Sequence, residues 1–279
     1  MIAFDFEYYK PDSLNEAVKL YGELSRSNKQ PLYYSGGTEI ITMARRNDIF
    51  TKAVIDIKGI PECNVYEKRG HQLVIGAAVT LTHIAENKLI PVLSRTANFA
   101  ADHTARNKIT IGGIICGKIM YKEAVLGHLI ANSNTIIYGE KGKRIVPINQ
   151  AFNQSLQLKE GEFLFQLTTD MSYSDLPYIS VKKTKQGKTG YPLISMAALK
   201  KANNIRMAFS GLCSFPFRSA RMEQAINNKA IPREQRIEEA INNLPAPIFG
   251  NIQGSSEYKK FVLRNLLDDI LGSLDGEAR

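Results

Sequence analysis

Apolar and polar positions along this chain fall into short blocks, each with a recognisable period. Ser13-Leu14-Asn15-Glu16 has the form of a capping box, with Ser13 as N-cap and Glu16 at N3. Ala17, Val18, Leu20, Tyr21 and Leu24 then draw a helical stripe, and Pro11 stops the strand before it. Leu32-Tyr33-Tyr34 predicts a short strand running into Ser35-Gly36-Gly37-Thr38-Glu39, after which Ile40, Ile41 and Met43 begin a helix. Residues 52–57 predict another strand. In a second block, residues 72–77 predict a strand and Thr80 heads a helix near His83 and Ile84. Pro91-Val92-Leu93 opens a further helix containing Ala97, Ala100 and Ala101. Residues 135–138 and 144–148 predict strands around a turn at 139–142. Residues 172–177 are polar and turn-like and mark a domain boundary. Strands at 178–183, 193–200 and 205–213 follow, then helices at roughly 218–228, 233–243 and 257–271. Strands followed by helices predict an α+β chain rather than a doubly wound sheet.

Composition narrows the class. A chain of 279 residues suits one large or two medium domains, and a hydrophobic fraction of 44% supports a real core. No apolar run approaches the roughly 20 residues that span a bilayer. The first five residues carry an acid, Asp5, where a signal peptide would be basic, so a soluble, cytoplasmic protein is expected. Cys63, Cys116 and Cys213 are widely separated and form no CxxC pair. His71, His83, His103 and His128 form no HxxxH or HExxH pair, so no protein-held metal and no catalytic triad is expected. Cys116 reads as a buried small hydrophobe rather than a redox thiol. The net charge of +9 suits an acidic partner, nucleic acid or an anionic ligand. Its densest patch, Lys182, Lys183, Lys185 and Lys188, lacks the interleaved aromatics of a single-strand binder, so nucleic acid is not the expected partner.

Two glycine loops carry the chemistry. In Ser35-Gly36-Gly37-Thr38-Glu39 the paired glycines permit positive φ and close backbone approach, and successive N–H groups can hold a phosphate. The helix start adds positive potential. Thr110-Ile111-Gly112-Gly113 similarly offers a hydroxyl beside free N–H groups. Each alone reads more readily as an ordinary turn. Two such loops, about seventy residues apart, can converge on the two phosphates of one dinucleotide. Neither matches GxGxxG or GxxxxGK[ST].

At these residues the chain resembles the FAD-binding medium subunits of the xanthine dehydrogenase and carbon monoxide dehydrogenase family of molybdenum hydroxylases. The opening Pro11-Asp12-Ser13-Leu14-Asn15-Glu16-Ala17 is similar to the family's proline and "SLxEA" helix. Ser35 to Ile40 resembles its "GGTDL" loop, Leu73 to Thr80 its "LxIGAxVT" segment, and Arg106 to Gly113 its "RNxATIGGN" loop. Gly161-Glu162-Phe163-Leu164, the segment from Arg206 to Arg221, and Tyr258-Lys259 resemble its "GEIL", "GGVAPxPxRA" and terminal "YR". The resemblance implies an α+β, FAD-binding fold of the p-cresol methylhydroxylase type. Its FAD-binding domain would span 1–171, with two α/β subdomains at about 1–57 and 58–171. A C-terminal α+β domain at 176–279 would add a small antiparallel sheet and helices.

The resemblance also implies roles. Ser35, Gly36, Gly37, Thr38, Glu39 and Ile40 would present backbone N–H groups to the FAD pyrophosphate. Thr110, Gly112 and Gly113 would form the second phosphate-side loop. Glu123 would accept from the adenosine ribose, Leu164 would pack on the isoalloxazine, and Lys182 would stabilise reduced flavin. Taken without the resemblance, Lys182 reads as a solvated loop charge and Glu123 as a surface acid. The chain departs from the family where Ile114 replaces an asparagine and where residues 114–122 replace a small, proline-containing run. A lost amide beside the cofactor removes a hydrogen bond worth about 0.5–1.5 kcal/mol. The implied function is an electron-transfer subunit that passes electrons from a 2Fe-2S small subunit through FAD to NAD or another acceptor. A molybdenum-cofactor large subunit would oxidise the substrate. The rival readings are a stand-alone flavin oxidase and an assembly subunit that has lost FAD.

Overall fold

The computed structural model describes residues 2–185 and 190–276, so Lys188 of the basic patch lies outside the described residues. The chain forms two compact units, each discontinuous in sequence. The first comprises the residues up to Ile84, His103–Ile119 and Asn132–Met171; the second comprises Ala85–Asp102, Met120–Ala131 and the chain from Ser172 onward. Among the described residues no helix is long and apolar enough to cross a membrane.

In the first unit, β1 (Glu7–Tyr9), β2 (Leu32–Tyr34) and β3 (Ala53–Asp56) form a parallel sheet in the order β1-β3-β2. Parallel neighbours need crossover connections, and α1 (Leu14–Arg26) and α2 (Thr38–Arg45) supply them. Ser13 Oγ accepts from the Glu16 N–H at 3.3 Å, and Glu16 accepts in return from Asp12 N–H rather than from Ser13. The central strand β3 is buried along its whole length. A second, five-stranded antiparallel sheet has the order β4-β5-β10-β6-β7. It contains β4 (Tyr66–Arg69), β5 (Gln72–Gly76), β6 (Asn134–Gly139), β7 (Gly142–Pro147) and β10 (Phe163–Asp170). The pattern along the chain signals neither β4 nor β10. Residues 163–169 of β10 are all buried, so no alternation marks the middle strand of the sheet. A ribbon of β8 (Phe152–Asn153) and β9 (Ser155–Leu156), with short helices α3 (Leu81–Glu86), α5 (His103–Arg106), α6 (Ile111–Cys116) and α8 (Ile148–Ala151), completes the connections.

The second unit is built on an antiparallel sheet of β11 (Tyr178–Thr184), β12 (Pro192–Lys201), β13 (Asn204–Ser210) and β14 (Phe217–Arg218). Ile194, Met196 and Ala198 with Ile205, Met207 and Phe209 share a core with α9 (Ala220–Asn227), α10 (Arg233–Asn242) and α11 (Ser256–Ile270). On the alternate positions, Ser195 pairs with Ser210 and Ala197 with Ala208. These small residues leave room for α7 (Glu123–Ile130), which packs on β12 and β13 and against α4 (Pro91–Ala97). Every residue of α7 is buried, so it shows no amphipathic stripe and the sequence pattern does not announce it. Helix α4 stops at Ala97 rather than running through Ala101, whose φ of 46° is left-handed. The strand expected over 205–213 stops at Ser210, where Gly211 turns at φ 81°. At the C-terminal end of the described chain, Asp275 takes Lys200 at 3.2 Å, Lys229 at 2.9 Å and Arg236 at 3.1 Å. Burial alone would raise its carboxyl, but hydrogen bonds from the three cations hold it far below the usual carboxylate range.

Burial pushes the His128 imidazole on α7 down to about 4. An unfolded histidine titrates near about 6.5. A folded value below the unfolded one gives stability that is full above about pH 6.5 and lost as pH falls towards the folded value. Urea unfolding at about pH 7 and about pH 4.5 is expected to differ by on the order of 2 kcal/mol more in the wild type than in His128→Gln.

Candidate functional site

Strand β2 ends beside Asp56 of β3, and the chain then turns through Ser35, Gly36 and Gly37 into α2. Gly37 is the N-cap with φ 71°, and it sits under the Tyr34 ring, where an added Cβ would lie 2.0 Å from the phenol oxygen. Burial raises that phenol above its ordinary value. The first hydrogen bond of α2 runs from Ile41 N–H to Gly37 carbonyl at 2.9 Å, which leaves the N–H groups of Thr38, Glu39 and Ile40 without an acceptor in the helix. Among the described residues, Gly36 and Gly37 N–H likewise meet no acceptor. Five successive amides at the positive end of a helix thus remain available, which is the arrangement that holds an anion such as a pyrophosphate.

The Thr110 loop differs from its sequence reading. Thr110 caps the six-residue helix α6, and its hydroxyl accepts from Gly113 N–H at 3.2 Å. Ile111 N–H goes to Val79 carbonyl and Gly112 N–H to Ala77 carbonyl, both at 2.9 Å. The amides expected to be free are therefore committed within the protein. The loop instead braces the first one. Thr110 Oγ1 donates to Ser35 Oγ at 3.0 Å, and a Cβ on Gly36 would lie 2.1 Å from the Lys108 carbonyl oxygen. Gly36 is thus required by a backbone-to-backbone contact inside the protein. Gly113 is different. It is exposed, and a Cβ there would meet only Thr110 Oγ1, at 3.0 Å.

The Glu39 carboxylate accepts from the N–H groups of Lys118 and Ile119, the latter at 3.2 Å. It therefore anchors part of the run that departs from the family pattern. Ile114, in the place of the family asparagine, is buried within α6. Cys116 is exposed, contrary to its reading as a buried hydrophobe; it shares the outer face of the short helix with Gly113.

Leu164 lies buried on β10, paired with Ile137. In the second unit, Glu123 opens α7 and Lys182 lies on β11, with side chains 5% and 9% exposed and 3.8 Å apart. Lys182 also donates to Phe99 carbonyl at 2.7 Å. Neither residue is the surface charge that a reading without the resemblance suggests. Burial raises the Glu123 carboxyl, against the opposing effects of a backbone hydrogen bond and Lys182.

Sequence reasoning passed over Asp56, Lys58 and Tyr8. Asp56 is 1% exposed and caps the turn Ile57–Gly59, accepting from Lys58 N–H at 2.9 Å. Lys58 Nζ donates to Asp56 and to Ser35 carbonyl, each at 2.7 Å, and lies 4.6 Å from the centre of the Tyr34 ring. Tyr8 hydroxyl donates to the same carboxylate; that hydrogen bond, with burial, pushes its phenol up to about 12. The available signal was the carboxylate closing the otherwise apolar Ala53-Val54-Ile55-Asp56.

The difference between the glycines is testable without any ligand. Gly36→Ala is expected to lower stability by about 1–3 kcal/mol through overpacking. Gly113→Ala should change it by less than about 1 kcal/mol. Thermal unfolding of the ligand-free variants would refute this if the order were reversed.

Residues 4–168 match the family described as the FAD binding domain in molybdopterin dehydrogenase. The carbon monoxide dehydrogenase medium chain of Hydrogenophaga pseudoflava is 25% identical over 248 residues, 84% of either chain. The nicotinate dehydrogenase FAD-subunit of Eubacterium barkeri is 26% identical over 155 residues, 53% of this chain and 51% of its own. The fold matches solved structures. Carbon monoxide dehydrogenase from Hydrogenophaga pseudoflava lacking the Mo-pyranopterin moiety superposes with a TM-score of 0.87 at 23% identity, covering 99% of both chains. Quinoline 2-oxidoreductase from Pseudomonas putida 86 superposes with a TM-score of 0.84 at 18% identity, covering 97% of both. These likenesses show the α+β fold of the p-cresol methylhydroxylase type. With the family match spanning more than half its length, this chain belongs to the FAD-binding domain family of the molybdopterin dehydrogenases.

Proposed function

We propose that this FAD-binding oxidoreductase subunit relays electrons from a 2Fe-2S partner to NAD or another acceptor, within a complex whose large subunit carries the molybdenum cofactor. The observation that carries the reading is the row of unpartnered amides from Gly36 to Ile40 at the start of α2. These N–H groups would hold the pyrophosphate of FAD, with the Thr110 loop behind them and the exposed face at Gly113 beside them. Glu123 would hold the adenosine ribose, Leu164 would pack on the isoalloxazine, and Lys182 would favour the reduced flavin. Bound FAD supplies the means of taking up single electrons and releasing them as a pair. The chain's own task is to bind and orient it. These 279 residues hold three cysteines, too few for a four-thiolate cluster, which supports placing the iron–sulfur centres on a partner. The related proteins' designations, medium chain and FAD-subunit, support a place in a larger assembly.

Titration of the purified chain with FAD is expected to reach one flavin per chain, released intact on denaturation. Failure of the folded protein to quench FAD fluorescence would refute the reading. Lys182→Met is expected to lower the flavin midpoint potential by on the order of tens of millivolts while FAD content is retained. A redox titration at one pH, showing no change at full occupancy, would place Lys182 away from the ring.

A further inference from the structure

We infer that Lys58 is a positioning residue for the dinucleotide phosphates, acting through the Ser35–Gly36 peptide rather than by touching the ligand; the inference rests on the flavin reading above. The register brings Tyr34 of β2 opposite Asp56 of β3, so each strand's next residues leave the sheet side by side. One residue beyond Tyr34 is Ser35, and two beyond Asp56 is Lys58. Lys58 Nζ meets the Ser35 carbonyl at 2.7 Å. Its remaining directions are held by Asp56 at 2.7 Å and by the face of Tyr34. Asp56 is itself fixed by the Lys58 N–H and by the Tyr8 hydroxyl. The ammonium is therefore pinned by a buried carboxylate, although 40% of its side chain is exposed.

A peptide unit is planar and trans, so its carbonyl and its N–H point in opposite directions. Fixing the Ser35 carbonyl from one side therefore fixes the direction of the Gly36 N–H on the other. A cation on the carbonyl oxygen also draws charge through the amide and makes its N–H a stronger donor. Gly36 N–H is the first of the unpartnered amides of this loop. Gly36, on the N–H side of this peptide, offers no side chain of its own to resist a flip, so restraint from outside the loop matters. Lys58 supplies it to the carbonyl, while Thr110 ties the Ser35 hydroxyl.

The test compares wild type, Lys58→Met and Lys58→Arg as full-length, flavin-free protein. Fluorescence titration with FAD, and competition by ADP as a probe of the pyrophosphate, should both show affinity about tenfold weaker in Lys58→Met. The loss should persist at high salt, where a diffuse charge effect is screened. Lys58→Arg, which keeps a cationic donor, should restore affinity to within about threefold of wild type. In nitrogen-15 spectra the Gly36 amide should shift in Lys58→Met and return in Lys58→Arg, with melting temperatures within about 2 °C. Wild-type affinity in Lys58→Met, or a loss that vanishes at high salt, overturns the inference and leaves the flavin site standing. Wild type that binds neither FAD nor ADP overturns both. Should Lys58→Met not fold, Lys58→Gln serves in its place, judged by the same affinity and Gly36 shift.

Discussion

The site depends on one contact between two distant stretches of backbone, Gly36 against the carbonyl of Lys108. No side chain fits between them. This contact, with the hydroxyl bond from Thr110 to Ser35, brings the second loop behind the first. The second loop uses its own amides internally, on Ala77, Val79 and Thr110. It can therefore act as a rigid support. The first loop, braced in this way, can leave its amides without acceptors in the folded protein. Open amides at the start of a helix, with its positive end behind them, favour an anion there.

Electrostatics follow the same division of labour. In the first unit two charged side chains serve the loop: Lys58 holds a carbonyl, and Glu39 accepts two amides from the segment after α6. In the second unit they are largely enclosed. Glu123 and Lys182 meet in a nearly closed environment, Arg218 grips Glu223 with two bonds at 2.7 and 2.9 Å, and Lys259 spends its charge on the carbonyls of Gly211 and Phe249. Buried charges of this kind are tolerated only with full sets of partners, and removing one partner is far more harmful than never having had the pair.

Much of this could be read from the chain alone. Ser13 and Glu16 announced the start of α1, and the Gly-Gly pair between an apolar strand and a helix marked the loop whose amides stay open. These signals are local: capping, period and positive φ are properties of a few consecutive residues. So is the succession of motifs that places the chain in its family, since each motif is a short string in a fixed order. The α+β class followed from the order of strands and helices, which survives errors of a few residues at their ends.

What the sequence left open is what depends on surroundings. Helix α7 and strand β10 are enclosed on every side, and a segment that is apolar all round carries no period to read. The exposed Cys116 and the buried Glu123 and Lys182 reverse the ordinary preferences of their residue types, because burial is decided by neighbours that arrive from elsewhere in the chain. The sequence by itself determined which residues could offer amides to a phosphate. Only the tertiary structure decided that the Gly36 loop keeps its amides open while the Thr110 loop closes its own. Hydrogen bonding is a competition among all groups brought within about 3 Å, and those groups are assembled only when the chain folds.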